Sequence, residues 1–152
     1  MRKKTKILIL LLVVFAGLFL LDVIRYMQVE ITVASITPED VPAIQTQPVE
    51  LVVIAKYKNG KPVVNHTLFA LTLGGGSWES FYAKTDNAGR AVFTYYPYDL
   101  PSYQEPRDVT VKIRDESNSI FVEIYPTLTY NIHLVRPESL QDGTGTVDDY
   151  LD

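Results

Sequence analysis

Two histidines, no cysteine and eighteen carboxylates are what this 152-residue chain offers to catalysis or metal binding. Their spacing assembles no working set. His66 borders the start of a strand-like run, and His133 alternates with Ile132 and Leu134 on a face shared with Asn131 and Val135. A metal pair needs a third ligand converging on both, which this spacing does not supply, so both are expected to be surface histidines. Gly75-Gly76-Ser77-Trp78 puts a serine behind glycines without the strand–turn–helix context of a nucleophile elbow. Asp86, Asn87 and the acidic C-terminal stretch are oxygen donors, but they lack the regular spacing of a calcium loop. With no cysteine there is no disulfide, no thiolate chemistry and no lipidated N-terminal Cys. The expectation is a protein that is not an enzyme, with no catalytic residue, no cofactor and no metal site.

The aromatic residues offer binding chemistry instead. Trp78, Phe81, Tyr82, Tyr95, Tyr96, Tyr98 and Tyr103 fall within 26 residues. Rings exposed together make stacking platforms for sugars or anchors for proteins. The candidate partner-binding residues are Trp78, Tyr82, Tyr96, Tyr98 and Tyr103. The competing reading assigns Phe81, Phe93 and Tyr95 to a core and lays the other tyrosines over sheet edges. A rival site is the C-terminal stretch 137–152, with five acids and no base, which is expected to be a disordered tail. Asn65-His66-Thr67 fits an N-glycosylation sequon.

What must position these residues begins with an apolar run. Residues 7–21 are fifteen unbroken apolar positions behind Met-Arg-Lys-Lys-Thr-Lys, and thirteen of them are Leu, Ile, Val or Phe. Such a run favours the bilayer by about 6 kcal/mol. Arg2, Lys3, Lys4 and Lys6 precede it and Arg25 is the nearest base after it, so the positive-inside bias places the N terminus in the cytoplasm. Fifteen helical residues rise only ~22 Å, the length of a secretory signal core, and a cleaved signal competes with an anchor. Val23, Ile24, Tyr26 and Met27 extend the helix. The small-residue patterns Val14-Phe15-Ala16 and Val33-Ala34-Ser35 lie inside the run or far beyond it. These two features favour an uncleaved span over residues 7–27, with 1–6 cytoplasmic.

The whole chain carries −4. Without the four leading bases, ten bases face eighteen acids, so residues 7–152 carry −8. That surface repels nucleic acid and anionic headgroups, which excludes nucleic-acid binding. Residues 28–136 are enough for one domain with one core.

Within that domain the periodicity is two. Val29–Val33, Val49–Tyr57, a strand from Pro62 that continues through Thr67–Leu73, Ser80–Thr85, Ala91–Tyr96, Val109–Arg114, Phe121–Tyr125 and Leu128–Val135 are the strand candidates. Asn59-Gly60 tolerates the positive φ of a tight hairpin turn. Asp86-Asn87-Ala88-Gly89 is read as the turn of a second hairpin joining 80–85 to 91–96. Seven to eight short strands separated by Gly/Pro-rich turns indicate an all-β sandwich behind a single N-terminal transmembrane helix.

Asn59-Gly60-Lys61-Pro62-Val63-Val64-Asn65-His66-Thr67, followed by Thr85-Asp86-Asn87-Ala88-Gly89-Arg90-Ala91, resembles the bacterial Ig-like group-1 domains of invasin- and intimin-type surface proteins. Similar turns occur in collagen-binding B-type and carboxypeptidase-regulatory-type sandwiches. The resemblance covers about a third of the domain and implies an Ig-like β-sandwich serving as an extracellular binding or spacer module. It transfers no catalytic residue. Group-1 domains usually stand in tandem, whereas here one stands beside a membrane. The Lys–Asn isopeptide bond of some B-type domains has no well-placed trio here, with Lys56 and Asn131 the nearest candidates.

A domain mounted directly after a span cannot reach far from the membrane. The expected role is therefore a single-pass, extracytoplasmic binding or scaffolding module that engages a protein neighbour in a cell-envelope complex. The alternatives are a pilin-like filament or surface-layer subunit, and a glycan-binding or adhesion module.

Overall fold

The structure, a computed structural model, describes residues 3–117 and 125–138. The first element is helix α1, Lys3–Gln28. Its 26 residues rise about 39 Å, more than the ~30 Å hydrocarbon core of a bilayer. The helix therefore overruns the expected span 7–27 at both ends. Its most apolar 18-residue window has a mean hydropathy of 3.1 and is 6% buried. Ile7, Leu10, Val13, Phe15, Phe19 and Leu21 are all exposed. A helix apolar around its whole circumference satisfies its own backbone but leaves its side chains in need of an apolar surround.

Ten strands follow among the described residues: β1 (Val29–Thr37), β2 (Val41–Pro42), β3 (Val49–Tyr57), β4 (Thr67–Leu73), β5 (Ser77–Trp78), β6 (Tyr82–Lys84), β7 (Arg90–Tyr96), β8 (Val109–Asp115), β9 (Thr127–Ile132) and β10 (Leu134–Val135). Three are two-residue pieces, which leaves seven longer strands, in line with the alternation in the sequence. One sheet has the order β1-β3-β7-β5 and the other β6-β4-β8-β9, while β10 pairs with β2 in parallel. Those orders are the ABED and CFG sheets of an Ig-like sandwich, with β6 added beside the C strand. The fold is an Ig-like β-sandwich.

Period-two burial fills the space between the sheets. Val49, Leu51, Val53 and Ala55 of β3 and Ala91, Phe93 and Tyr95 of β7 face Leu68 and Ala70 of β4, Val109, Val111 and Ile113 of β8, and Ile132 of β9. Trp78 joins them, its ring 5.6 Å from Phe93 and 5.2 Å from Tyr95. Tyr95 is fully buried and donates its hydroxyl to the Gly75 carbonyl at 3.1 Å. Burial, with a smaller contribution from Tyr98, pushes the Tyr95 hydroxyl up to about 12. Phe93 and Tyr95 thus occupy the core as expected. Phe81 does not.

Three expectations need correction. Residues 80–85 and 91–96 do not form a hairpin: β6 pairs with β4, and β7 pairs with β3 and β5 in the opposite sheet. The turn between them forms as expected, its Asp86 carboxylate accepting the Ala88 and Arg90 N–H groups at 2.8 Å each. Those bonds, that to Arg90 first, hold the Asp86 carboxyl below its usual range. A turn fixes the local reversal, whereas strand partners are set by which faces bury together. The second correction concerns the chain after Gly60. The Asn59-Gly60 turn is present, with Gly60 at φ 83°, but Pro62 makes a single bridge to Lys56 rather than starting a strand. Proline lacks the N–H that would extend the ladder. The third is the end of the chain: His133 interrupts 128–135, and β10 leaves β9 to pair with β2. The expected strand at 121–125 falls largely outside the described residues, as does most of the expected tail at 137–152.

Candidate binding face

The outer face of the β6-β4-β8-β9 sheet carries side chains that a solvated sheet would not need. Along β4, Leu68 and Ala70 point inward, so Phe69, Leu71 and Leu73 point outward. Register then builds rows across the strands. Tyr82, Phe69 and Arg114 form one row, Leu71 and Lys112 the next, and Leu73 and Thr110 the third. Phe81 stacks over Phe69 with centroids 6.3 Å apart and planes at 25°, and Tyr82 lies 5.2 Å from Phe69. The Arg114 guanidinium sits 4.7 Å above the Phe69 ring and 5.2 Å from Tyr125, and is braced by Glu116 at 2.6 Å. Phe81 is 50% and Tyr82 53% exposed, and Leu71 and Leu73 are exposed beside them.

This face is also basic on an acidic protein. Lys84, Lys112 and Arg114 are its charged strand residues. An apolar centre with aromatic rings, arginine and a charged rim has the composition of a protein-binding surface.

The five candidate residues separate in space. Trp78, at 6% exposure, is packed in the core, so its ring offers no surface platform. Its Nε1 is buried without an acceptor among the described residues. Tyr82 lies on the face just described. Tyr96 is half-buried on the outer side of β7, in the other sheet. Tyr98 braces the loop after β7, its hydroxyl accepting the Arg107 N–H at 2.9 Å. Tyr103 stands in that loop, 83% exposed. Their closeness in sequence is broken because β6 and β7 enter opposite sheets. Phe69, Leu71, Leu73 and Arg114 were missed, although Thr67–Leu73 shows the signal: apolar residues at both odd and even positions.

His66 is also not a surface histidine. It is mostly buried, and its Nδ1 lies 2.6 Å from Oδ2 of Asp115, which is 2% exposed. A carboxylate accepts, so Nδ1 donates. The other Asp115 oxygen accepts the Ser117 N–H at 2.9 Å. His133 does lie at the surface, beside Asp108 at 2.7 Å. Asn65, in the sequon, is exposed with φ 59°.

No protein-family model matches the chain, and no curated protein matches it. Among solved structures it is similar to the D00-D0 domain of intimin, at 19% identity over 68% of this chain and 46% of that one, TM-score 0.49. It is similar to the D0-D1 domain of intimin at 19% identity, over 71% and 50%, TM-score 0.48. It is also similar to a C-terminal 282-residue fragment of intimin solved with the intimin-binding domain of the translocated intimin receptor, at 17% identity, over 68% and 33%, TM-score 0.48. The chain spans half or less of each of these solved chains.

Proposed function

We propose that this protein is a membrane-anchored, extracytoplasmic Ig-like binding module, an accessory or scaffolding subunit of a cell-envelope protein complex. In this reading α1 stays uncleaved as a single span with the N terminus in the cytoplasm. The sandwich binds a protein partner lying beside the same membrane, and it does so without catalysis.

One observation carries the reading: an exposed apolar and basic sheet face on a sandwich that follows an apolar helix without a linker. Gln28 ends α1 and Val29 begins β1. The Lys58 N–H donates to the Gln28 carbonyl at 2.9 Å, which ties the helix end to the β3 turn. A domain held this way presents its sheet face at a fixed height, suited to a partner in the same membrane. The rings of Phe69, Phe81 and Tyr82 also support a glycan-binding reading. The adjacent Leu71, Leu73, Lys112 and Arg114 favour a partner offering apolar and acidic side chains.

The test has two arms. Full-length protein stays in the membrane fraction through carbonate washing, and protease added from outside removes the sandwich. A soluble product lacking roughly the first 16–35 residues establishes a secretory signal instead. In the second arm, Phe81→Ser with Tyr82→Ser weakens co-purification of the membrane partner by about 2 kcal/mol or more. Undiminished capture places the partner site elsewhere.

A further inference from the structure

The outer face of the β6-β4-β8-β9 sheet is basic on a chain whose C-terminal stretch is acidic. At the outward strand positions of that face, Lys84, Lys112 and Arg114 stand without a carboxylate. Arg114 is already engaged by Glu116 at 2.6 Å. Lys84 and Lys112 are exposed and make no ion pair among the described residues. Leu71 stands beside Lys112 in register, 41% exposed, with Leu73 one row further on. Phe81 and Tyr82, half exposed, close the face on the β6 side. Apolar side chains next to ammonium groups suit an occupant that brings apolar and acidic side chains together.

The sequence beyond Glu138 has that chemistry. Residues 139–152 hold Asp142, Asp148, Asp149 and Asp152 and no base, with Val147, Tyr150 and Leu151 set among the last three of those carboxylates. We propose that this segment docks on the β6-β4-β8 face of its own sandwich. Tyr150 and Leu151 lie against Leu71, Leu73 and Phe81, and the carboxylates face Lys84 and Lys112. Docked there, the segment competes with a membrane partner for the face. That competition, though not the docking, rests on the function proposed above.

The path is short enough. β9 leads to Glu138 through β10, and its register with β8 and β4 puts Asn131, Thr110 and Leu73 in the row of the face nearest that end. From Ile132 to Glu138 the chain covers at most about 20 Å, and the two strand spacings from β9 to β4 add about 10 Å. The chain from Glu138 to Tyr150 can extend about 40 Å. A tether of that length keeps the segment at an effective concentration of about 1 mM. Even a docking constant of about 0.1 mM then leaves the face occupied roughly nine-tenths of the time, and weakens a competitor about tenfold. The attraction between exposed charges is screened by salt, whereas the apolar contacts are not.

The experiment titrates a synthetic peptide of residues 139–152 against full-length protein and against a variant ending at Glu138, both in detergent micelles, by calorimetry. The peptide is expected to bind the shortened variant about tenfold more tightly than the full-length protein, whose own segment competes. Raising salt from about 20 to about 300 mM weakens that binding. Lys112→Glu and Leu71→Ser in the shortened variant each weaken it about tenfold or more, while an unchanged urea midpoint of Trp78 fluorescence shows that the sandwich stays folded. Equal affinity for the two proteins overturns the proposal, as does binding indifferent to both substitutions. Full-length protein that self-associates until the segment is removed assigns the docking to a neighbouring copy and also overturns it. Co-purification separates this proposal from the partner site. Removing residues 139–152 is expected to raise capture of the membrane partner about tenfold. Capture that falls with Phe81→Ser and Tyr82→Ser but ignores removal of the segment refutes the docking and keeps the partner site. Peptide binding lost in Lys112→Glu, with capture indifferent to Phe81→Ser and Tyr82→Ser, keeps the docking and refutes the partner site.

Discussion

Two glycines at similar positive φ separate the cost of backbone conformation from the cost of packing. Gly60 has φ 83° and open space where a Cβ would stand. Gly89 has φ 76°, but a Cβ there would lie 2.4 Å from the Ala55 carbonyl oxygen and 3.2 Å from Cβ of Pro62. Gly60→Ala therefore costs the left-handed penalty of an L residue, about 1 kcal/mol. Gly89→Ala incurs the same penalty and must also push the turn away from β3. The Ala55 oxygen cannot yield freely, because it accepts the Val63 N–H at 3.0 Å, while the Ala55 N–H donates to the Gly89 carbonyl at 2.8 Å. Overpacking adds about 1–3 kcal/mol and the strained hydrogen bond about 1 more, for a total of about 3–5 kcal/mol. The single tryptophan reports the outcome, since Trp78 is buried between the sheets. In urea titrations followed by its fluorescence, at a slope of about 1.5 kcal/mol per M, Gly60→Ala lowers the midpoint by about 0.7 M and Gly89→Ala by about 2–3 M. Equal shifts for the two variants would refute the steric argument.

Other outcomes follow from the core and the turns. Trp78→Ala lowers stability by about 3–5 kcal/mol, whereas Trp78→Phe costs less because it also removes an indole N–H with no acceptor among the described residues; circular dichroism melts rank the two. Tyr95, raised to about 12 from an unfolded value of 10, keeps its full contribution below pH 10. That contribution falls as pH rises towards 12, where unfolded chains release the proton first, by roughly 2–3 kcal/mol in all. Alkaline titration of tyrosinate absorbance is expected to show one late component, which Tyr95→Phe abolishes. Asp86 has a lowered pKa, so its contribution is present above its unfolded value of 3.8 and is lost as pH falls below it. Asp86→Ala is expected to flatten the acid limb of the stability profile, measured by urea midpoint against pH. Residues 28–136 without α1 are expected to fold as a soluble, cooperatively unfolding β domain, and a helix-dominated circular dichroism spectrum would contradict that.

The strands and both turns were legible because their signals are local. Alternation along β3, β7 and β8 marks which residues point inward, and Asn59-Gly60 and Asp86–Gly89 reverse the chain where the sequence places them. Pairing was less legible. Whether β6 continues with β7 or crosses to β4 depends on burial against distant strands, and no residue near Asp86 encodes it. The same crossing explains how the candidate binding face is assembled. Tyr82 meets Phe69 through the register of β4 and β6, while Trp78, four residues before Tyr82, points into the core. The pairing of His66 with Asp115 spans 49 residues and follows from the register of β4 and β8. His66 and Asp115 therefore look unrelated in the sequence.

In the proposed function, the β6-β4-β8 face engages a protein partner at the membrane. Site-specific photocrosslinking in intact cells tests it most directly, with the photoreactive residue at Leu71 or Tyr82 on that face and at Val92, exposed on the opposite sheet, as the control. A discrete adduct with one membrane-embedded protein is expected from positions 71 and 82 and none from 92. An adduct from position 92 with none from 71 and 82 would contradict it.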